Sequence, residues 1–101
     1  MAKACKEALP LFTELGGVVA PIVINAKSGA SNDDNVARFN SILDKLDGIA
    51  ESIETEEGRT ALLDTTKGWD KVLEEITNGE NAEDTFKALE EAAKAFDDQC
   101  K

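Results

Sequence analysis

The sequence predicts an all-α fold: a small up-down-up-down four-helix bundle, its first helix kinked at Pro10 and Pro21. Three observations lead there. Four stretches place apolar residues at alternating steps of three and four, the spacing of one helix face. Short segments rich in Ser, Asn, Asp and Gly separate them. Two cysteines, Cys5 and Cys100, sit near opposite ends of the chain. An even number of antiparallel helices brings those ends together.

The first helix runs from Ala2 to about Ala26. Ala4, Ala8, Leu11, Phe12, Leu15, Val18, Val19 and Ile22 form its stripe. Pro10 and Pro21 each remove one backbone donor and crowd the preceding turn, so each should kink or restart the helix. Residues 18–24 also read as a strand by their Val and Ile content. A lone strand has nothing to pair with in this chain, so a kinked helix is the preferred reading. Three helices with an irregular N-terminal arm is the alternative if the prolines prevail.

Lys27 to Asn32 is a loop. Ser31 followed by Asp34 fits a capping box, with Asn32 and Asp33 as competing caps. The second helix is the clearest, with Val36, Phe39, Leu43, Leu46, Ala50 and Ile53 inward and Asp44, Lys45, Asp47 and Glu51 outward. Its end has two readings. Thr55 starts the next helix with Glu56 and Glu57 in a first turn that favours anions, or Gly58 ends the second helix and Thr60 starts the third.

The third helix carries Leu62, Thr65, Trp69, Val72, Leu73 and Ile76 on one face and stops at Asn78-Gly79. Thr65, Thr66 and Gly68 make its middle weak in helix propensity. The fourth helix starts at Asn81, with Asp84 three residues on. Its stripe is Ala82, Thr85, Phe86, Leu89, Ala93, Phe96 and Cys100. The expected core is Phe12, Leu15, Val19, Phe39, Leu43, Leu46, Ile53, Leu62, Trp69, Leu73, Ile76, Phe86, Leu89 and Phe96.

Length and composition bound the function. At 101 residues the chain reads as one domain, 1–101. The net charge of −10 argues against nucleic acid and against an anionic membrane surface. There is no histidine, which removes Ser-His, Cys-His and zinc-histidine chemistry. Two distant cysteines do not supply the paired spacing of a zinc or iron–sulfur site. No cofactor is expected. The acidic stretches fail the EF-hand pattern, because Leu43, Lys45 and Ile76 stand at ligand positions before Gly48 and Gly79. They read as helix caps. Paired carboxylates for glycoside hydrolysis need a cleft, and these fall on solvent faces. Gly16-Gly17 does not open a phosphate loop.

No run of apolar residues reaches the eighteen or so needed to span a bilayer, so no membrane span is expected. Cys5, Glu7, Pro10 and Glu14 interrupt any signal-peptide core. Met1, the only methionine, suits either a natural start or a chain whose leader was removed.

Two features carry the functional expectations. A Cys5–Cys100 disulfide would close nearly the whole chain into a loop. It would favour a secreted or extracytoplasmic location, and free thiols a cytoplasmic one. Glu80, Glu83, Asp84, Glu90, Glu91, Asp97 and Asp98 make the fourth helix the densest acidic face. The leading expectation is a non-enzymatic interaction module that presents this face to a basic protein, as an inhibitor or immunity-type protein does. A carrier of a small apolar ligand, with Trp69 anchoring it, is the second reading. A structural protein self-associating through residues 18–24 is the third. The sequence leaves the oligomeric state open.

Overall fold

The structure, a computed structural model, describes residues 2–100; Met1 and Lys101 lie outside the described residues. It holds four helices: α1 (Ala2–Ser28), α2 (Asp33–Glu51), α3 (Glu56–Thr77) and α4 (Glu83–Gln99). No strand occurs among the described residues, so the strand reading of residues 18–24 is overturned; they lie inside α1.

α1 passes through Pro10 and Pro21 without a break. Each proline deprives one carbonyl of its donor, that of Lys6 and that of Gly17. Both residues are exposed, so those carbonyls are open to solvent rather than orphaned in the core. The inner side of the same turns buries Ala4, Ala8, Leu15, Val18 and Ile22. That apolar burial, on the order of 1.5–3 kcal/mol for each large side chain, outweighs the lost bonds. The irregular N-terminal arm does not form.

The helix ends follow local chemistry. α1 and α3 are followed by Gly29 and Gly79 at φ +77° and +74°, the left-handed position that ends helices. Thr55 caps α3, its hydroxyl oxygen accepting from the Gly58 backbone N–H at 3.3 Å, with Glu56 and Glu57 in the first turn. Arg59 then donates to the Ile53 carbonyl at 3.0 Å and closes the α2–α3 turn. The alternative start at Thr60 is overturned.

α2 and α4 begin differently from the capping boxes the sequence suggests. Their caps are Asn32 and Ala82, and neither makes a side-chain capping bond. Ser31 and Asn81 lie one residue earlier and act as turn formers. Ser31 accepts from the Asp33 N–H at 3.3 Å and Asn81 from the Glu83 N–H at 2.8 Å. Asn32 turns its amide back along α1 and donates to the Ile22 carbonyl at 3.1 Å.

The extensive packings are α1 on α2, α2 on α3 and α3 on α4. The main core is built by α1, α2 and α3, and Phe96 is the residue α4 adds to its fully buried centre. Of the expected core, Leu15, Phe39, Leu43, Leu46, Ile53, Leu62, Leu73, Leu89 and Phe96 are buried; Phe12, Val19, Trp69, Ile76 and Phe86 are half-buried. Thr65 is wholly buried beside them. It tolerates burial because its hydroxyl donates to the Ala61 carbonyl at 2.8 Å.

α4 packs chiefly on α3, the most extensive of the helix packings, and touches α1 at few points. At Gly68 a Cβ would come within 3.1 Å of Leu89 Cδ1 and 3.3 Å of its Cβ, so the missing side chain sets the closeness of α3 and α4. The Thr85 hydroxyl donates to the Glu75 carboxylate across the same interface. Phe12 and Phe96 meet edge to face, centroids 6.0 Å apart, and join α4 to α1.

Two substitutions test this attachment by urea unfolding. Phe96→Ala is expected to lower stability by about 3–5 kcal/mol. Gly68→Val is expected to lower it by about 1–3 kcal/mol despite the gain in helix propensity. A neutral Gly68→Val would mean that α3 and α4 do not approach so closely.

Candidate functional site

Cys5 lies in the first turns of α1 and is buried; Cys100 caps the end of α4 and is half-buried. Their sulfurs are joined, 1.99 Å apart, with the Cα atoms 5.9 Å apart. No free cysteine remains among the described residues. The bond closes a loop with a sequence separation of 95. Apolar Ala4, Ala8 and Ile53 belong to the core cluster that contains Cys5. The pole is therefore a structural clasp set in hydrophobic packing.

The seven acidic residues singled out from the sequence are all exposed. Glu80 belongs to the loop before α4 and the other six to α4 itself. Their spacing within the helix is regular. Glu83, Glu90 and Asp97 recur every seven residues, and so do Asp84, Glu91 and Asp98. Seven residues is nearly two helical turns, so each triplet forms a column about 21 Å long on the outside of α4. Sequence inspection by density alone missed a third column. Lys87 and Lys94, also seven apart, run between the two acidic ones. Each lysine is four residues from glutamates or aspartates on both sides, the spacing of helix ion pairs. The face is patterned rather than uniformly negative.

Trp69 sits in a ladder of rings. Its centroid is 6.3 Å from Phe39 of α2 and 6.4 Å from Phe86 of α4, both edge to face. It lies where α3 touches both neighbours.

The surface grooves are open rather than enclosed. One, about 890 Å³, lies between the start of α1 and the end of α2, lined by Ala4, Glu7, Leu11, Lys45, Ile49 and Ile53. A smaller one, about 490 Å³, lies at the opposite end among Val23, Lys27, Asn32, Ile76 and Gly79. In it the Asn32 Oδ1, buried, meets no donor among the described residues. Trp69 lines neither groove. No three acidic or cysteine side chains among the described residues converge on a point that would hold a metal.

α1 has one further property. From Lys3 to Ser28 it is long and apolar enough, by length and composition, to cross a membrane, although Glu and Pro interrupt every long apolar run. A buried core helix passes the same test, but here only 28% of the apolar window is buried.

Comparison with protein-family models, with curated proteins and with solved structures found no match for this chain. What the fold and these surfaces define is a class: a small helical protein with its two ends clasped by a disulfide.

Chain-entropy reasoning puts the value of that clasp at about 4–5 kcal/mol. Denaturant unfolding with and without reductant is expected to differ by roughly that amount, and the Cys5→Ser, Cys100→Ser double variant should match the reduced protein. Free thiols in protein freshly purified from its native source would contradict the bond.

Proposed function

We propose that this protein is a non-enzymatic interaction module whose α4 face binds a basic protein partner, masking it as an inhibitor or immunity-type protein does. The observation that carries this reading is the patterned charge on α4, two acidic columns flanking a basic one along about 21 Å of one helix. Oppositely charged columns steer encounter and fix lateral register, because a partner shifted sideways across them meets like charge. The support beneath it is firm: α4 is packed on α3 and bonded to α1 at its end. A face fixed in this way loses little entropy when it binds.

The same reading takes the chain as one domain whose helices run alternately up and down, with α1 bent at Pro10 and Pro21. Cys5 and Cys100 meet at one end and Lys27, Asn32 and Gly79 gather at another groove, as that course requires. It places the protein outside the cytoplasm, where a disulfide persists.

The test is affinity capture from the native source, with wild-type protein and with a Glu83→Lys, Glu90→Lys double variant as baits. A basic protein retained by the wild type at about 50 mM salt, released by about 300 mM and lost from the variant supports the reading. An Asp44→Lys bait, altered on α2, should retain it. Capture that ignores both salt and the α4 charges contradicts it.

A further inference from the structure

The side of α1 turned away from the core carries Leu9 at 53% and Ile24 at 64% exposure, the two large hydrophobic side chains that stand exposed among the described residues. They are fifteen positions apart on one helix, about 22 Å. Between them the same side shows Thr13, Gly16, Gly17 and Ala20, all exposed. Pro10 adds another exposed apolar ring.

Charge sets this face apart from the rest of the molecule. Residues 2–28 hold three lysines and two glutamates, while residues 29–101 hold eight basic and nineteen acidic side chains. From residue 8 to residue 26 the one charged side chain is Glu14. Two copies of so acidic a protein repel on every other side. They can approach through α1.

The two glycines point the same way. Each costs a helix interior up to about 1 kcal/mol relative to alanine. A Cβ at Gly16 or Gly17 would meet nothing within 4 Å. The packing of a single copy therefore gains nothing from their smallness, in contrast to Gly68. Their smallness leaves the helix backbone open to close approach from outside.

The order of residues on this face has a centre. Gly16 and Gly17, Thr13 and Ala20, Leu9 and Ile24, and Lys6 and Lys27 are symmetric pairs about the Gly16–Gly17 peptide. A two-fold axis through that peptide crosses α1 with its copy in antiparallel sense. It seats Leu9 of each copy against Ile24 of the other and places glycines at the crossing, where the backbones are closest. The same axis lays the basic start of each α1, Lys3 and Lys6, at the partner's opposite end. There Lys27, which the axis sets opposite the partner's Lys6, is outnumbered by Glu80, which lines the groove at Asn32 and Gly79 with it, and by Asp33 and Asp34, which follow Asn32 in the first turn of α2. Charge complementarity therefore operates twice in each dimer.

We infer that α1 is a homodimerisation helix, pairing with α1 of a second copy through Leu9, Gly16, Gly17, Ala20 and Ile24. This surface is separate from the α4 face and stands whether or not that face binds a basic protein. One helix crossing buries less than the roughly 800 Å² per partner of a tight complex, so the dimer is a weak one, with a dissociation constant on the order of 10–100 μM.

Sedimentation velocity from about 5 μM to about 1 mM, at about 150 mM salt, tests it. The wild-type protein is expected to pass from monomer to dimer over that range. Gly17→Glu should weaken the dimer at least about tenfold while leaving the helical circular dichroism intact and the melting temperature no lower, because the site is open and glycine is the poorer helix former. Leu9→Lys, at the rim of the same face, should act in the same direction. Wild-type protein that stays monomeric throughout, or a Gly17→Glu variant that dimerises as well as the wild type, overturns the inference. A monomer that instead co-floats with phosphatidylcholine vesicles, and ceases to with Leu9→Lys, also overturns it and assigns the face to a bilayer.

Discussion

α1 and α4 touch chiefly near their joined ends, at the Cys5–Cys100 bond and at Phe12 against Phe96. That junction is what ties α4 to α1. The centre of the core belongs to α1, α2 and α3, to which α4 adds Phe96. Its main attachment is to α3, the most extensive helix packing in the molecule, where Leu89 sits over Gly68 and Thr85 bonds to Glu75. A helix that leaves so much charge exposed and rests mainly on one neighbour gains from being anchored at a second point. The covalent link supplies that anchor and removes freedom from the unfolded chain as well as from the folded one.

The consequence is a division of labour across the molecule. α1 supplies apolar surface on two sides, one spent in the core and the other left facing outward at Leu9 and Ile24. α2, α3 and α4 each bury one stripe and present charge on the other side. The acidic columns of α4 and the uncharged strip of α1 are thus distinct surfaces on one small scaffold. One suits a charged partner, and the other a surface of its own kind.

Much of this was legible from residue order. The three–four periodicity of Val36 to Ile53 marks α2 because one buried face imposes it. Thr55 followed by two glutamates marks the start of α3 because a hydroxyl oxygen and two anions suit unpaired helix donors. The pairing of Cys5 with Cys100 follows from the even number of helices. Other features were hidden for physical reasons. The prolines of α1 looked disruptive because sequence does not say that Lys6 and Gly17 face outward, where a lost hydrogen bond costs little. Ser31 and Asn81 looked like caps because a turn former one residue upstream uses the same side-chain oxygen. The outward strip of α1 was masked by its own hydrophobicity, since a helix apolar on most sides gives no sign of which side is left uncovered. The lysine column of α4 became visible only once both acidic columns were placed on the same side of one helix.

The central claim is that α4 needs the terminal clasp as well as its packing on α3 to stay in place. Native-state hydrogen exchange on oxidised and reduced protein tests it residue by residue. If the claim holds, reduction strips protection from the amides of residues 83–99 while α2 and the inner turns of α1 keep most of theirs. If protection in α4 survives reduction, or falls evenly across all four helices, α4 is an integral part of the core and the account is wrong.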